Sequence, residues 1–160
     1  MKTMPTIRQY ADATDRIQVV ELWRNVFGYE TAHNEPNLAI SKKIAINDGL
    51  FFVAVENEVI VGTIMAGYDG HRGWLYSVAV DPGKRLHGLG TALVHHAENA
   101  LAELGCMKVN LQLLDTNEAT AAFYKSIGYA VEPRLSMGKL LWQAVQLLKL
   151  NHITFWVTAI

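Results

Sequence analysis

The chain has 160 residues, 51% of them hydrophobic, 18% charged and 9% aromatic, and its 14 basic and 15 acidic side chains leave a net charge of -1. That length fits one domain of roughly 100–200 residues, able to bury about two-thirds of its unfolded surface without a metal or disulfide staple. The apolar content excludes a disordered chain, the balanced charge excludes a global basic field for nucleic acid, and the single cysteine, Cys106, excludes a disulfide framework or a multi-cysteine zinc site.

Thr6–Tyr10 reads as a short first strand. Asp12 then reads as an N-cap, with Asp15 at N3 completing a variant capping box. Apolar residues at Ile17, Val19, Val20, Trp23 and Val26 predict a helix to about Phe27, stopped by Gly28. Tyr29–Glu35 is a loop, Pro36 opens a second helix at its first turn, and Asn47-Asp48-Gly49 ends it. Leu50–Val55, Val59–Gly67 and Trp74–Val80 are three strands joined by the turns Glu56-Asn57-Glu58 and Tyr68–Gly73, an antiparallel meander.

Asp81-Pro82-Gly83 breaks the last of these strands. A basic, glycine-containing loop follows, then a helix with Leu89, Leu93, Ala97, Ala100, Leu101 and Leu104 on one side and Gly105 as its C′ residue. Lys108–Leu113 is the next strand, Asn117–Ile127 a helix stopped by Gly128, and Val131–Met137 a further strand loosened by Pro133. The strand–helix–strand unit from Trp74 to Leu113 places two parallel strands side by side, so the fold class is α+β with a mixed sheet. The N-terminal segment lacks the apolar stretch of a signal peptide, and a lone thiol fits a reducing cytosol, so the expected location is cytoplasmic, with no membrane partner.

The segment Val78–Thr91 is the one most informative about chemistry. It joins a strand to a helix, Gly88 and Gly90 let backbone N–H groups converge on an anion, and the helix start adds orphan donors and a positive dipole end. Lys84, Arg85 and His87 add local charge to a chain whose net charge is -1. The same two glycines are equally what close helix packing requires. A Walker A loop is absent, and Gly88-Leu89-Gly90 is followed by Leu93 where a dinucleotide-binding fingerprint needs glycine.

What remains is Arg85-x-x-Gly88-x-Gly90 after a strand, which resembles the Q/R-x-x-G-x-G/A loop of the GNAT superfamily of acetyl-CoA-dependent N-acetyltransferases. Asn117–Tyr129 resembles the same family's N-x-x-A-x-x-F-Y-x-x-x-G-F/Y helix, in the right order and spacing. Gly67–Gly73 and Leu135–Lys139 further resemble its bacterial YpeA-like branch. The resemblance covers about Thr6 to Leu140.

It implies a mostly antiparallel sheet whose parallel pair, Trp74–Val80 and Lys108–Leu113, splays apart to admit the pantetheine arm of acetyl-CoA. Val78, Ala79 and Val80 would line that arm, and the N–H near Val78 would face the thioester oxygen. The pyrophosphate would rest on Arg85, Leu86, His87, Gly88, Leu89, Gly90 and Thr91. Asn117 is either a helix N-cap or a cofactor contact, and the two roles are compatible. Tyr124, otherwise a core tyrosine, would protonate the departing thiolate. The reaction implied is direct acetyl transfer to an amine with no covalent enzyme intermediate, and with no metal: His95 and His96 are adjacent and share no helix face. Cys106 reads as structural. The alternative is a non-catalytic acyl-CoA-binding module.

The amine acceptor and its general base are left open. Trp74, Leu75 and Tyr76 stand where some relatives carry a carboxylate. Glu21, Glu30, His33, Glu35, Asp69, His71 and Tyr76 are all candidates, and each also suits a surface or turn role. The acetyltransferase domain is expected to span residues 1–140. Residues 141–160 form an apolar extension: 12 of the 19 residues from Trp142 to Ile160 are apolar. Gln143, Gln146 and Lys149 mark a polar stripe on a helix over about Leu140–Leu150, before a strand over Ile153–Ile160. Such a surface is expected to pack on the sheet or on a second subunit of a homodimer.

Overall fold

The structure, a computed structural model, describes residues 5–28 and 34–141. In chain order the elements are β1 (Thr6–Gln9), α1 (Asp12–Phe27), α2 (Pro36–Ile46), β2 (Phe51–Glu56), β3 (Val59–Tyr68), β4 (Gly73–Val80), α3 (Leu89–Glu103), β5 (Val109–Leu111) and α4 (Glu118–Ser126). The strands lie in the order β1-β2-β3-β4-β5 in one sheet. The first three pairings are antiparallel and β4–β5 is parallel, as the strand–helix–strand pattern predicts.

Alternation along the strands divides the core into two layers. Phe51, Val53, Ile60 and Met65 face α1 and α2, packing with Val19, Val20, Leu22, Trp23 and Ile40. Phe52, Ala54, Ile64, Ala66 and Leu75 face the other way, against Leu89, Leu93, Val94, Ala97 and Leu101 of α3 and Tyr124 of α4. Among the described residues no helix is long and apolar enough to cross a membrane.

Helix ends follow local chemistry, with one difference from the expected caps. Asp12 is the first helical residue of α1 rather than its N-cap, which is Ala11. The Asp15 carboxylate turns back to accept the Ala11 N–H (2.8 Å), the Thr14 hydroxyl (2.9 Å) and two Arg8 N–H groups (2.6 and 2.9 Å). Asp15 thus serves one arm of a capping box while tying α1 to β1. Gly28 ends α1 in the left-handed conformation, and Glu35 caps α2 by accepting the N–H groups of Asn37 (3.1 Å) and Leu38 (2.7 Å).

Three further expectations are corrected. Val131–Met137 forms no strand: Val131, Leu135 and Met137 are exposed, and the segment meets β5 and its flanking residues through side chains, Lys108 with Glu132, Asn110 with Glu132, and Gln112 with Ser136. Pro133 and the absence of a ladder partner explain the difference. β5 is accordingly shorter than Lys108–Leu113. On α3 the buried face includes Val94, whereas Leu104, at the C-cap, is exposed. The helix and strand expected over Leu140–Ile160 lie outside the described residues.

Candidate active site

β4 is paired to β5 at Gly73–Val109, Trp74–Asn110 and Leu75–Leu111, and nowhere beyond. From Tyr76 to Val80 its outer edge has no strand partner among the described residues, so the sheet opens where the splayed pair is expected. A bulge reshapes β4 at that point. Thr63 opposes Ala79 and Met65 opposes Tyr76, so Ser77 and Val78 together face the single residue Ile64. Ser77 takes a left-handed φ of 50°, the conformation that glycine usually supplies in such bulges. The extra residue reverses the strand's parity. Leu75 packs with the α3 layer, yet Ala79, four residues on, packs with the α1 layer, while Val78 and Val80 rejoin Leu111 and Tyr124.

The loop after β4 begins with a single 3₁₀ turn, Pro82–Lys84, fixed by Asp81, whose carboxylate accepts the Gly83 N–H (2.8 Å). Lys84 pairs with Glu56, and Arg85 Nε donates back to the Val80 carbonyl (3.2 Å). Leu86 and Gly88 are left-handed (φ 63° and 81°). From Leu86 to Thr91, none of the six backbone N–H groups donates to a described group. Alternating left-handed residues beside a helix start form an anion-binding concavity. His87 uses Nδ1 on the Arg85 carbonyl (2.6 Å).

The two glycines of the loop differ in purpose. Gly88 has open space around it and is needed for its φ. At Gly90 a methyl group would come within 3.3 Å of Phe123 Cζ, so this glycine admits α4 against α3. α4 is capped by Asn117, whose Oδ1 accepts the Thr120 N–H (3.2 Å). Tyr124 is buried, edge-on to Phe123 (5.0 Å) and Tyr129 (5.4 Å). Its hydroxyl makes no hydrogen bond among the described residues, and burial pushes the phenol up to about 12.

A profile of the acetyltransferase (GNAT) family matches residues 17–129. The chain belongs to the GNAT family. Among its relatives, an acetyltransferase of Yersinia pestis (strain Pestoides F) is 37% identical over 108 residues, which are 68% of this chain and 77% of that protein. Two solved structures share the fold. The aminoglycoside N-acetyltransferase AAC(6')-Iy in complex with CoA superposes with a TM-score of 0.71 at 18% identity, covering 87% of this chain and 97% of that one. Ard1 from Thermoplasma volcanium gives 0.71 at 23%, covering 81% and 85%. This GNAT protein is therefore an N-acetyltransferase, and the open β4 edge, the bulge and the donor loop form its candidate active site.

The proposed proton acceptors of this GNAT enzyme are scattered. Glu21 is exposed on α1, and Glu35 is engaged as the α2 cap. Asp69 accepts the N–H groups of His71 (2.8 Å) and Arg72 (2.6 Å) and Trp74 Nε1 (3.2 Å), and these bonds hold its carboxyl down at about 2. His71 is exposed in the same turn. The Tyr76 hydroxyl reaches over β3 to the Ala66 carbonyl (3.4 Å), with the Lys43 ammonium 5.5 Å above its ring. Glu30 and His33 lie outside the described residues. Cys106 is half-buried and its thiol donates to the Lys108 carbonyl (3.2 Å).

Sequence reasoning missed three residues near the bulge: Trp23, Thr63 and Ser77. One signal was present, since the apolar positions of β4 pass from Leu75 to Val78 and Val80, a change of parity that a regular strand does not allow.

Proposed function

We propose that the enzyme takes acetyl-CoA as co-substrate along the open edge of β4 and transfers its acetyl group directly to the amine of a small molecule. The observation that carries this reading is the continuity between two unsatisfied surfaces: the β4 edge beyond Leu75 runs into the six free N–H groups of Leu86–Thr91. The residues present fit the group. Pantetheine amides match a strand edge, a pyrophosphate matches converging N–H groups beside Arg85, and Gly88 leaves room for its approach. The complexes of AAC(6')-Iy with CoA and with the bisubstrate analogue CoA-S-monomethyl-acetylneamine support both the co-substrate and a small-molecule amine.

In this reading Val78, Ala79 and Val80 line the pantetheine, and Arg85, Leu86, His87, Gly88, Leu89, Gly90 and Thr91 hold the pyrophosphate, while Asn117 stays a helix cap within reach of the co-substrate. The neutral amine nitrogen attacks the thioester carbon, the carbon–sulfur bond breaks, and the amine proton leaves to water. The Val78 N–H donates to the carbonyl oxygen as it becomes negative, a contribution of about 3–4 kcal/mol for a well-placed donor. Tyr124 donates to the departing sulfur. With its phenol near 12 and a thiolate normally near 8.5, full proton transfer is uphill, so Tyr124 acts chiefly through the hydrogen bond.

Acetyl-CoA consumption measured by thiol release, across a panel of amino sugars, polyamines and amino acids, tests this reading. Thiol release that depends on at least one amine, with the acetylated amine recovered, is the expected result. Tight acetyl-CoA binding without release for any amine would overturn it in favour of a binding module.

A further inference from the structure

Thr63 on β3 is fully buried beneath α1, and its hydroxyl sits between two partners. It accepts from Trp23 Nε1 (2.8 Å) and donates to the Ser77 carbonyl (3.0 Å). An indole N–H can only donate, so it occupies a lone pair of the hydroxyl and leaves that group's one hydrogen for Ser77. The chain of bonds from Trp23 through Thr63 to Ser77 therefore has one direction.

Its end point is the left-handed residue of the bulge. The Ser77 carbonyl and the Val78 N–H belong to the same peptide unit, which is planar and trans, so fixing one fixes the other in the opposite direction. A carbonyl drawn toward Thr63 on β3 turns the Val78 N–H away from β3, to the side of β4 that β5 leaves open. From this we infer that Thr63 is a positioning residue for acetyl transfer, with Trp23 setting the direction of its hydroxyl: together they aim the Val78 N–H at the acetyl carbonyl. The inference rests on the proposed acetyl-transfer reading for its catalytic consequence, and on the hydrogen-bond chain alone for its structural one.

Among the described residues, Thr63 supplies the one side-chain hydrogen bond to that peptide. Ser77 lacks the freedom of glycine at a positive φ, and a relaxed peptide would swing the N–H off the carbonyl oxygen. A displaced donor leaves co-substrate binding by the loop intact and weakens the transition state, so the effect belongs on kcat.

The test compares Thr63→Val, which keeps the shape and removes the hydroxyl, with Thr63→Ser, which restores it. Thr63→Val is expected to lower kcat about 10- to 100-fold with the acetyl-CoA KM within about two-fold, and Thr63→Ser to return kcat to within about three-fold of the parent. In the ligand-free protein the Ser77 carbonyl carbon and Val78 amide nitrogen resonances are expected to move in Thr63→Val and to stay in Thr63→Ser. If Thr63→Val does not fold, Trp23→Phe decides, with the same two resonances displaced and kcat lowered about three- to ten-fold. Unmoved resonances, an unchanged kcat, or a Thr63→Ser protein as impaired as Thr63→Val would overturn the inference. A parent enzyme that releases no thiol with any amine would sink the acetyl-transfer reading instead, and the resonances would still judge the hydrogen-bond chain.

Discussion

The α-carbon of Gly90 rests against the ring of Phe123, where a side-chain methyl would lie 3.3 Å from Phe123 Cζ. Two segments that share only their order in the sequence, the glycine loop and the Asn117–Tyr129 helix, meet at this contact. The approach sets how α4, and with it Tyr124, stands relative to the donor loop at the start of α3.

Gly90→Ala should push the two helices apart by a few tenths of an ångström and cost about 1 kcal/mol, because the added methyl overpacks a filled site. Pairing it with Phe123→Leu should recover part of that loss. Thermal melts of the two single variants and the double one check this, and the expected coupling is stabilising.

Gly88→Ala should behave differently. No atom lies within 4 Å of the added carbon, so the cost comes from φ 81° alone, about 1–2 kcal/mol. The loop can escape that strain only by losing its concave shape. Steady-state kinetics should therefore show a raised acetyl-CoA KM with kcat at saturation little changed.

Tyr124→Phe should lower kcat about 10²- to 10⁴-fold if the hydroxyl donates to the leaving sulfur. The same change should leave the melting temperature almost unaltered, since the hydroxyl has no partner among the described residues. Burial raises this phenol to about 12, so the parent enzyme should keep the donor protonated and show no loss of kcat from this group up to about pH 11. A pH–rate profile of parent and variant checks both statements.

Asp15→Asn should cost about 2 kcal/mol at neutral pH, because the carboxylate accepts charge-assisted bonds from Arg8 as well as the Ala11 N–H. Arg8 holds the Asp15 carboxyl below its usual range, against the opposing effect of burial. A depressed carboxyl stabilises the fold fully above its unfolded value near 3.9 and loses that contribution as pH falls through the lower folded value. Urea midpoints of parent and variant should thus differ at pH 6 and draw together as pH falls below the ordinary carboxylate value of about 3.9.

Much of the fold was legible in the chain because it depends on short-range patterning. Apolar alternation marks the three meander strands, Pro36 and Gly28 punctuate the first two helices, and Arg85, Gly88 and Gly90 mark the loop between β4 and α3. Val131–Met137 misled the same reasoning. Its β-branched and apolar residues suit a strand, but a strand exists only where a neighbour supplies a ladder, and none of the described residues does so.

The sequence by itself therefore determined the class of the fold, the family and the residues of the loop, since periodicity, turn chemistry and motif spacing are all local. Tertiary structure decided what each residue does there. It separated Gly88, needed for its backbone angle, from Gly90, needed for Phe123. It spent Glu35 and Asp69 on caps and turns. It also brought Trp23, Thr63 and Ser77, drawn from three different elements, into one chain of hydrogen bonds behind the bulge. Such contacts lie 14 to 40 residues apart along the chain: the pairing of β3 with β4 brings Ser77 to Thr63 (3.0 Å), and the packing of α1 on the sheet brings Trp23 to it (2.8 Å).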